Sequence, residues 1–182
     1  ATIATNDQYI NVLVNTAEFG YMGTGDIVTI DSAFSISVAD NVPDQHQAIV
    51  IFSIETTEGM LWEHNVRVTI EAPEFDIESP FIYDLIPGGN NDGIIDPGEL
   101  ITFSFPLHNV GNATSQTVDI DFVVNHPEVT IISVEHDERS SLLPDEVMYP
   151  SLVLEIADSI TYGSSFSVDY TLDSGSYNTT GS

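Results

Sequence analysis

Apolar residues recur at every second position in short runs along the chain, with polar residues between them. Ile10, Val12 and Val14 form one set, followed by Phe34, Ile36 and Val38, by Val50, Phe52 and Ile54, and by Val66, Val68 and Ile70. Further on come Ile101, Phe103, Phe105 and Leu107, then Val118, Ile120 and Phe122, then Leu152, Leu154 and Ile156. The last set is Phe166, Val168, Tyr170 and Leu172. Side chains of a strand alternate between its faces, so each run predicts a strand with one face in a core and the other in water. No long stretch has the spacing of an amphipathic helix. Turn residues fall between the runs, at Gly20 to Gly25, Asn41 to Asp44, Glu58-Gly59, Pro87 to Gly89, Asn109 to Asn112 and Tyr162-Gly163. Short strands punctuated this often predict an all-β chain of antiparallel sandwiches.

A longer period lies over the short one. Asn6–Glu55 can be laid over Asn125–Asp173 at an offset of about 118 residues. Ala39-Asp40-Asn41-Val42 then falls on Ala157-Asp158-Ser159-Ile160, and His46–Glu55 falls on Ser164–Asp173 without a gap. The unit is close to one immunoglobulin-like domain in size, so the expectation is of tandem immunoglobulin-like β-sandwiches. The frame starts in the middle of a unit. Residues 1–73 hold only the later strands of one module. Residues 74–182 hold the early and middle strands of the next, with the counterpart of Val66 to Ile70 missing. Ala72-Pro73-Glu74 is the expected junction, because proline stops a strand ladder. A sandwich short of strands has an open edge, so the expected partners are neighbouring modules or identical subunits joined by strand pairing. Excision from a longer repeat protein is favoured over head-to-tail polymerisation.

Charge narrows the choice of partners. There are 29 acidic residues against two basic ones, Arg67 and Arg139, for a formal net charge of −27. Such a chain repels nucleic acid and anionic membranes and attracts cations. Its 42% hydrophobic content is too high for a disordered acidic tail. The absence of cysteine rules out disulfides and thiolate chemistry. No apolar run is long enough for a membrane-spanning helix. The histidines, His46, His64, His108, His126 and His136, are scattered without a zinc-type spacing, and no serine sits in a Gly-x-Ser-x-Gly elbow. Asp119 and Asp121 share one face of a strand and read as a solvated outer face. Glu71, Glu74, Asp76 and Glu78 read as a hydrated hinge. The expectation is therefore a protein that is not an enzyme.

One loop carries a more specific pattern. In Gly88-Gly-Asn-Asn-Asp-Gly-Ile-Ile-Asp-Pro-Gly-Glu99, the spacing of an EF-hand-type calcium loop places Asn90, Asp92, Asp96 and Glu99 as oxygen donors. Gly93 takes the sharp turn and Ile94 contributes its carbonyl. Gly88 stands where such a loop has its first aspartate, so Asp84 or another carbonyl must complete the shell. The alternative is an Asn/Asp/Gly turn whose side chains bond their own backbone.

Residues 90–99, with Ile101–Phe105 and His108–Thr114 after them, resemble tandem immunoglobulin-like repeats of secreted bacterial proteins. Repeats of this kind are appended to gingipain-type cysteine peptidases, to other secreted proteases and to large surface adhesins. Phe34–Glu58, with Val38-Ala-Asp-Asn-Val-Pro-Asp44, is similar to the later half of the same module. The resemblance implies an immunoglobulin-like fold in an extracellular or cell-surface stalk, spacer, fibre or adhesin. No peptidase active site carries over, because the cysteine nucleophile is absent. The alternatives are an accessory domain pair of a secreted peptidase and a carbohydrate- or protein-binding module. A glycan ligand would need exposed aromatics, for which Trp62, Tyr9, Tyr21, Tyr83 and Tyr149 are the candidates. Asn112-Ala-Thr114 and Asn178-Thr-Thr180 match the glycosylation sequon, a match that is usually accidental in a bacterial protein, while the density of Thr and Ser would suit O-linked sugar.

Overall fold

A computed structural model describes residues 1–85, 87–135 and 141–182. His136 and Arg139 lie outside the described residues. The chain is all-β and antiparallel, and it divides into two compact units, Ala1–Glu71 and Ala72–Ser182.

Unit 1 holds β1 (Thr2–Ala4), β2 (Ile10–Val14), β3 (Ser35–Val38), β4 (His46–Glu55) and β5 (Leu61–Ile70). One sheet runs β1-β4-β5 and the other is the pair β2-β3. Ile3, Ile10, Ala48 and Val50 form its buried core.

Unit 2 holds β6 (Phe75–Ile77), β7 (Phe81–Tyr83), β8 (Leu100–Ser104), β9 (Leu107–Asn109), β10 (Asp119–Val124), β11 (Val129–Glu135), β12 (Val147–Met148), β13 (Ser151–Ile156), β14 (Val168–Ser174) and β15 (Tyr177–Gly181). Its sheets run β11-β13-β8-β7, β10-β14-β15 and β12-β9-β6. Ile101 and Phe103 of β8, Leu152, Leu154 and Ile156 of β13, and Ile120 and Phe122 of β10 meet in one core. The first two sheets thus face each other in the manner of a sandwich.

The expected strand from Ile101 to Leu107 is broken. Pro106 has no N–H to give to a ladder, so β8 ends and β9 begins in a different sheet. Pro80 separates β6 from β7 and Pro150 separates β12 from β13 in the same way. Three neighbouring strands therefore change sheets at prolines. The last expected run also starts late. Phe166 lies outside the strand, and β14 begins at Val168. Where the repeat leaves no closing strand, β15 returns along β14 and pairs with Tyr170–Ser174. The expected alternation also misses β11, whose adjacent Ile131 and Ile132 fall where the register of β11 on β13 shifts.

The pairings of the two units coincide. In unit 1, Thr2, Ile3 and Ala4 lie opposite Ser53, Phe52 and Ile51. In unit 2, Asp121, Phe122 and Val123 lie opposite Thr171, Tyr170 and Asp169. Ile10 pairs with Val38 as Val129 pairs with Ile156. Both pairs then shift register at the same place, skipping Leu13 in β2 and Ile132 in β11. Loop bonds agree as well. Ala39 N–H donates to Tyr9 O (2.8 Å) and Ala157 N–H to Glu128 O (2.9 Å), while His46 N–H donates to Pro43 O (3.3 Å) and Ser164 N–H to Thr161 O (3.0 Å).

Candidate functional site

The segment between β7 and β8 brings the expected calcium residues into one loop. β7 pairs with β8, Tyr83 opposite Thr102, so Asp84 and Glu99 flank the mouth of a closed excursion. Both are buried. Asp84 Oδ2 accepts from the N–H groups of Asp92 (2.9 Å) and Gly93 (3.0 Å), and Asp84 O accepts from Asn91 N–H (2.9 Å). Glu99 accepts at Oε1 from Asn90 N–H (3.1 Å) and at Oε2 from Asp96 N–H (2.9 Å). Along the rim, Asn90 Oδ1 accepts from Asp92 N–H (2.9 Å) and Asp92 Oδ1 from Ile94 N–H (2.8 Å). Asn90 Nδ2 reaches Asp96 Oδ2 at 3.3 Å. Gly93 has φ of 80°, the left-handed conformation that the sharp turn requires. Gly89 is pressed so close to the Asp84 carbonyl that a Cβ there would collide with it.

This geometry is the self-bonded turn: loop carboxylates satisfy loop N–H groups. The donor set is all hard oxygen, the type calcium takes. Among the described residues, however, no three His, Cys, Asp or Glu side chains converge as a metal-holding group. Asp84 and Glu99 also have no ion pair with a basic side chain among the described residues.

Elsewhere, His46 Nε2 lies 2.7 Å from Asp7 Oδ2 in unit 1. Asp7 Oδ1 accepts from Tyr9 N–H at 2.9 Å, and the Tyr9 ring meets His46 edge-on at 4.9 Å. The Tyr9 N–H, and then His46, hold the Asp7 carboxyl below its ordinary value. His126 uses Nδ1 to accept from Glu128 N–H (3.1 Å), and the Nε2 of His108 is buried without a hydrogen-bond partner among the described residues. Asp119 faces Asp173 directly across the β10–β14 ladder on the exposed side of that sheet.

Compared with protein-family models, curated proteins and solved structures, the chain matches none.

Two features lay outside the expected sites. Asn109 is fully buried, and its side chain ties four groups together. Its Oδ1 accepts from the N–H groups of Glu74 (3.2 Å) and Gly111 (3.1 Å), and its Nδ2 donates to the carbonyls of Ala113 (2.9 Å) and Leu142 (3.1 Å). Its signal in the sequence is an asparagine closing a strand just before Val-Gly-Asn. The other feature is an apolar groove of about 700 Å³ in unit 2, lined by Phe103, Phe105, Phe166, Val168 and Tyr170 among others. None of Trp62, Tyr9, Tyr21, Tyr83 and Tyr149 lines it.

Proposed function

We propose that the chain is a non-catalytic structural segment of an extracellular or cell-surface protein, a stalk or adhesin piece built from two copies of one immunoglobulin-like module. The observation that carries this reading is the shared register of the two units, down to the skipped residues Leu13 and Ile132. Residue identity differs at nearly all of these positions, while pairing, bulge and loop bonds agree. A bulge is a local feature of one strand pair, so its recurrence at equivalent places supports common architecture. The sheet orders add to this. β11-β13-β8-β7 and β10-β14-β15 follow the D-E-B-A and C-F-G arrangement of a constant-type immunoglobulin sandwich. The strong negative charge suits a solvated surface protein, and the secreted bacterial repeats that the loop motifs resemble serve as such spacers.

Pulling a single chain from its two ends tests the mechanical role. Unit 2 is expected to open in one cooperative step at higher force than unit 1, because its β8 and β7 complete a four-stranded sheet. Gradual extension of both units without a step would overturn a load-bearing role.

Calcium at the Asp84–Glu99 loop is a second reading, favoured by two buried carboxylates without a basic partner among the described residues. Bound calcium would add about 2.7 kcal/mol at a hundredfold excess over its dissociation constant. Thermal unfolding with calcium and with chelator decides it: a raised midpoint supports the ion, and an unchanged one leaves the self-bonded turn.

A further inference from the structure

The outer face of the sheet β11-β13-β8-β7 carries two aromatic rings beside a set of hydroxyls. In β8 the buried Ile101 and Phe103 point into the core, so Thr102 and Ser104 lie on the outer face. Phe81 stands opposite Ser104 and Tyr83 opposite Thr102, which places both rings on that face, while Ile82 between them lines the groove. On the far side of β8, Ser151 stands opposite Ser104 and Val153 opposite Thr102. The two rings lie side by side, with centroids 6.5 Å apart and planes inclined by 31°. Phe81 is 50% and Tyr83 42% exposed, so about half of each side chain meets solvent. Leu100, also exposed on this face of β8, extends the apolar strip. Among the described residues, the hydroxyls of Tyr83, Thr102, Ser104 and Ser151 have no hydrogen-bond partner. All of these residues sit in paired strands within 81–156, with chain on both sides of them.

We propose that this face binds a neutral oligosaccharide built of equatorially substituted pyranose units. The inference goes beyond the structural role, because it gives unit 2 a ligand of its own. A pyranose with equatorial hydroxyls presents C–H bonds on its two faces and polar groups around its edge. The C–H face is apolar and its hydrogens carry slight positive charge, which suits the negative face of an aromatic ring. The hydroxyls at the edge need partners, and serine, threonine and tyrosine hydroxyls serve as both donors and acceptors. The sheet supplies the two in adjacent places, as Phe81-Ser104-Ser151 in one row and Tyr83-Thr102 in the next. A wholly apolar partner surface would bury those hydroxyls unpaired, which costs stability. Charge makes the remaining choice. The two rows contain no charged side chain out to β13, and the residues that border them are the acids Glu135, opposite Ser151, and Glu155, opposite Leu100. The chain as a whole carries a net charge of −27. Uronic and other acidic sugars are therefore repelled, and a neutral sugar is not. Two neighbouring rings give places to consecutive units of one extended sugar chain.

The probe is cellotetraose, titrated into the full chain and followed by amide and aromatic-proton NMR. Saturable shifts are expected in the rings of Phe81 and Tyr83 and in the amides of residues 100–104 and 151–153. Phe81→Ala with Tyr83→Ala is expected to abolish them, and Phe81→Trp to retain or strengthen binding. Thr102→Val with Ser104→Val keeps the rings and suits a strand, so it tests the hydroxyls even where the double alanine variant fails to fold. It is expected to weaken binding severalfold. Tetragalacturonate is expected to bind much more weakly at low salt and to gain as salt screens the repulsion. No saturable shift, or shifts gathered instead at Phe166 and Val168 in the groove, overturns the proposal. Equal binding of the two sugars at low salt does so too. So does a sugar-free dimer in which β7 is protected, because a second copy then covers the face. Any of these outcomes leaves the pulling experiment free to support or reject the two-module segment on its own.

Discussion

β3 and β13 hold equivalent places in the two units, and they are buried very differently. Ile36 and Val38 in β3 are 36% and 41% exposed, whereas Leu154 and Ile156 in β13 are 0% and 2% exposed. Each carries apolar core-type residues at every second position, and each pairs on one side with a bulged strand. The difference is the other side. β8 lies along β13 with Ile101 opposite Leu154 and Phe103 opposite Leu152, while β3 has β2 as its sole strand neighbour among the described residues. Burial is therefore set by the next strand, and the alternating pattern only makes a residue eligible for it.

The largest expected effect compares these two strands directly. Leu154→Ala removes a fully buried side chain and is expected to cost unit 2 roughly 3–4 kcal/mol, within the usual range for core leucines. Ile36→Ala, at a partly open site, is expected to cost unit 1 about 1 kcal/mol or less. Urea denaturation resolves the two, because the single tryptophan, Trp62, lies in β5 and reports unit 1 by fluorescence. Equal losses in the two units would break the comparison. Next in size is Asn109→Ala, expected to destabilise unit 2 by roughly 2–3 kcal/mol, since it empties a fully buried site and removes side-chain hydrogen bonds to the backbone of Glu74, Gly111, Ala113 and Leu142. The Trp62 transition should not move.

Acid separates the units in another way. The Tyr9 N–H and His46 hold Asp7 below its ordinary value of 3.8. Its contribution to folding is fully present above 3.8 and fades as pH falls below that value through the lowered one. Asp7→Asn is therefore expected to flatten the acid side of the unit 1 stability profile, read from Trp62, and to leave unit 2 unchanged. A profile identical to that of the unsubstituted chain would show that Asp7 contributes nothing. The smallest expected effects come from the skipped residues. Leu13→Ser and Ile132→Ser alter exposed positions and should each change stability by about 0.5 kcal/mol or less. A larger loss at only one of them would mark the bulges as dissimilar in their packing.

Most of the long strands were legible from alternation alone, because a half-buried strand imposes a period of two. The exceptions have physical causes. Pro106 lies within an unbroken apolar pattern, and its missing N–H ends the ladder without disturbing the alternation of Ile101, Phe103, Phe105 and Leu107. Ile131-Ile132 in β11 hides a strand because the register shift there changes the phase. β6, β7 and β12 are too short for any period to show. In the Asp84–Glu99 loop, the spacing of oxygen donors pointed to a cation. The fold turns the same oxygens toward backbone N–H groups, and linear spacing does not distinguish these uses. Asn109 was within a motif, but its role depends on Leu142, 33 residues away in the chain.

That one module occurs twice is tested most directly by crosslinking, and the chain has no cysteine to interfere. Thr2→Cys with Ser53→Cys and Asp121→Cys with Thr171→Cys occupy equivalent ladder positions in β1–β4 and β10–β14. Directly opposed residues in such a ladder come within the Cα separation that a disulfide accepts, and partners one residue out of register present their Cβ atoms to opposite faces. Both pairs are expected to oxidise readily and to similar extents, and Thr2→Cys with Phe52→Cys, or Asp121→Cys with Tyr170→Cys, are expected to remain reduced. Crosslinking of one unit in the stated register and of the other only in the shifted one would contradict a shared module.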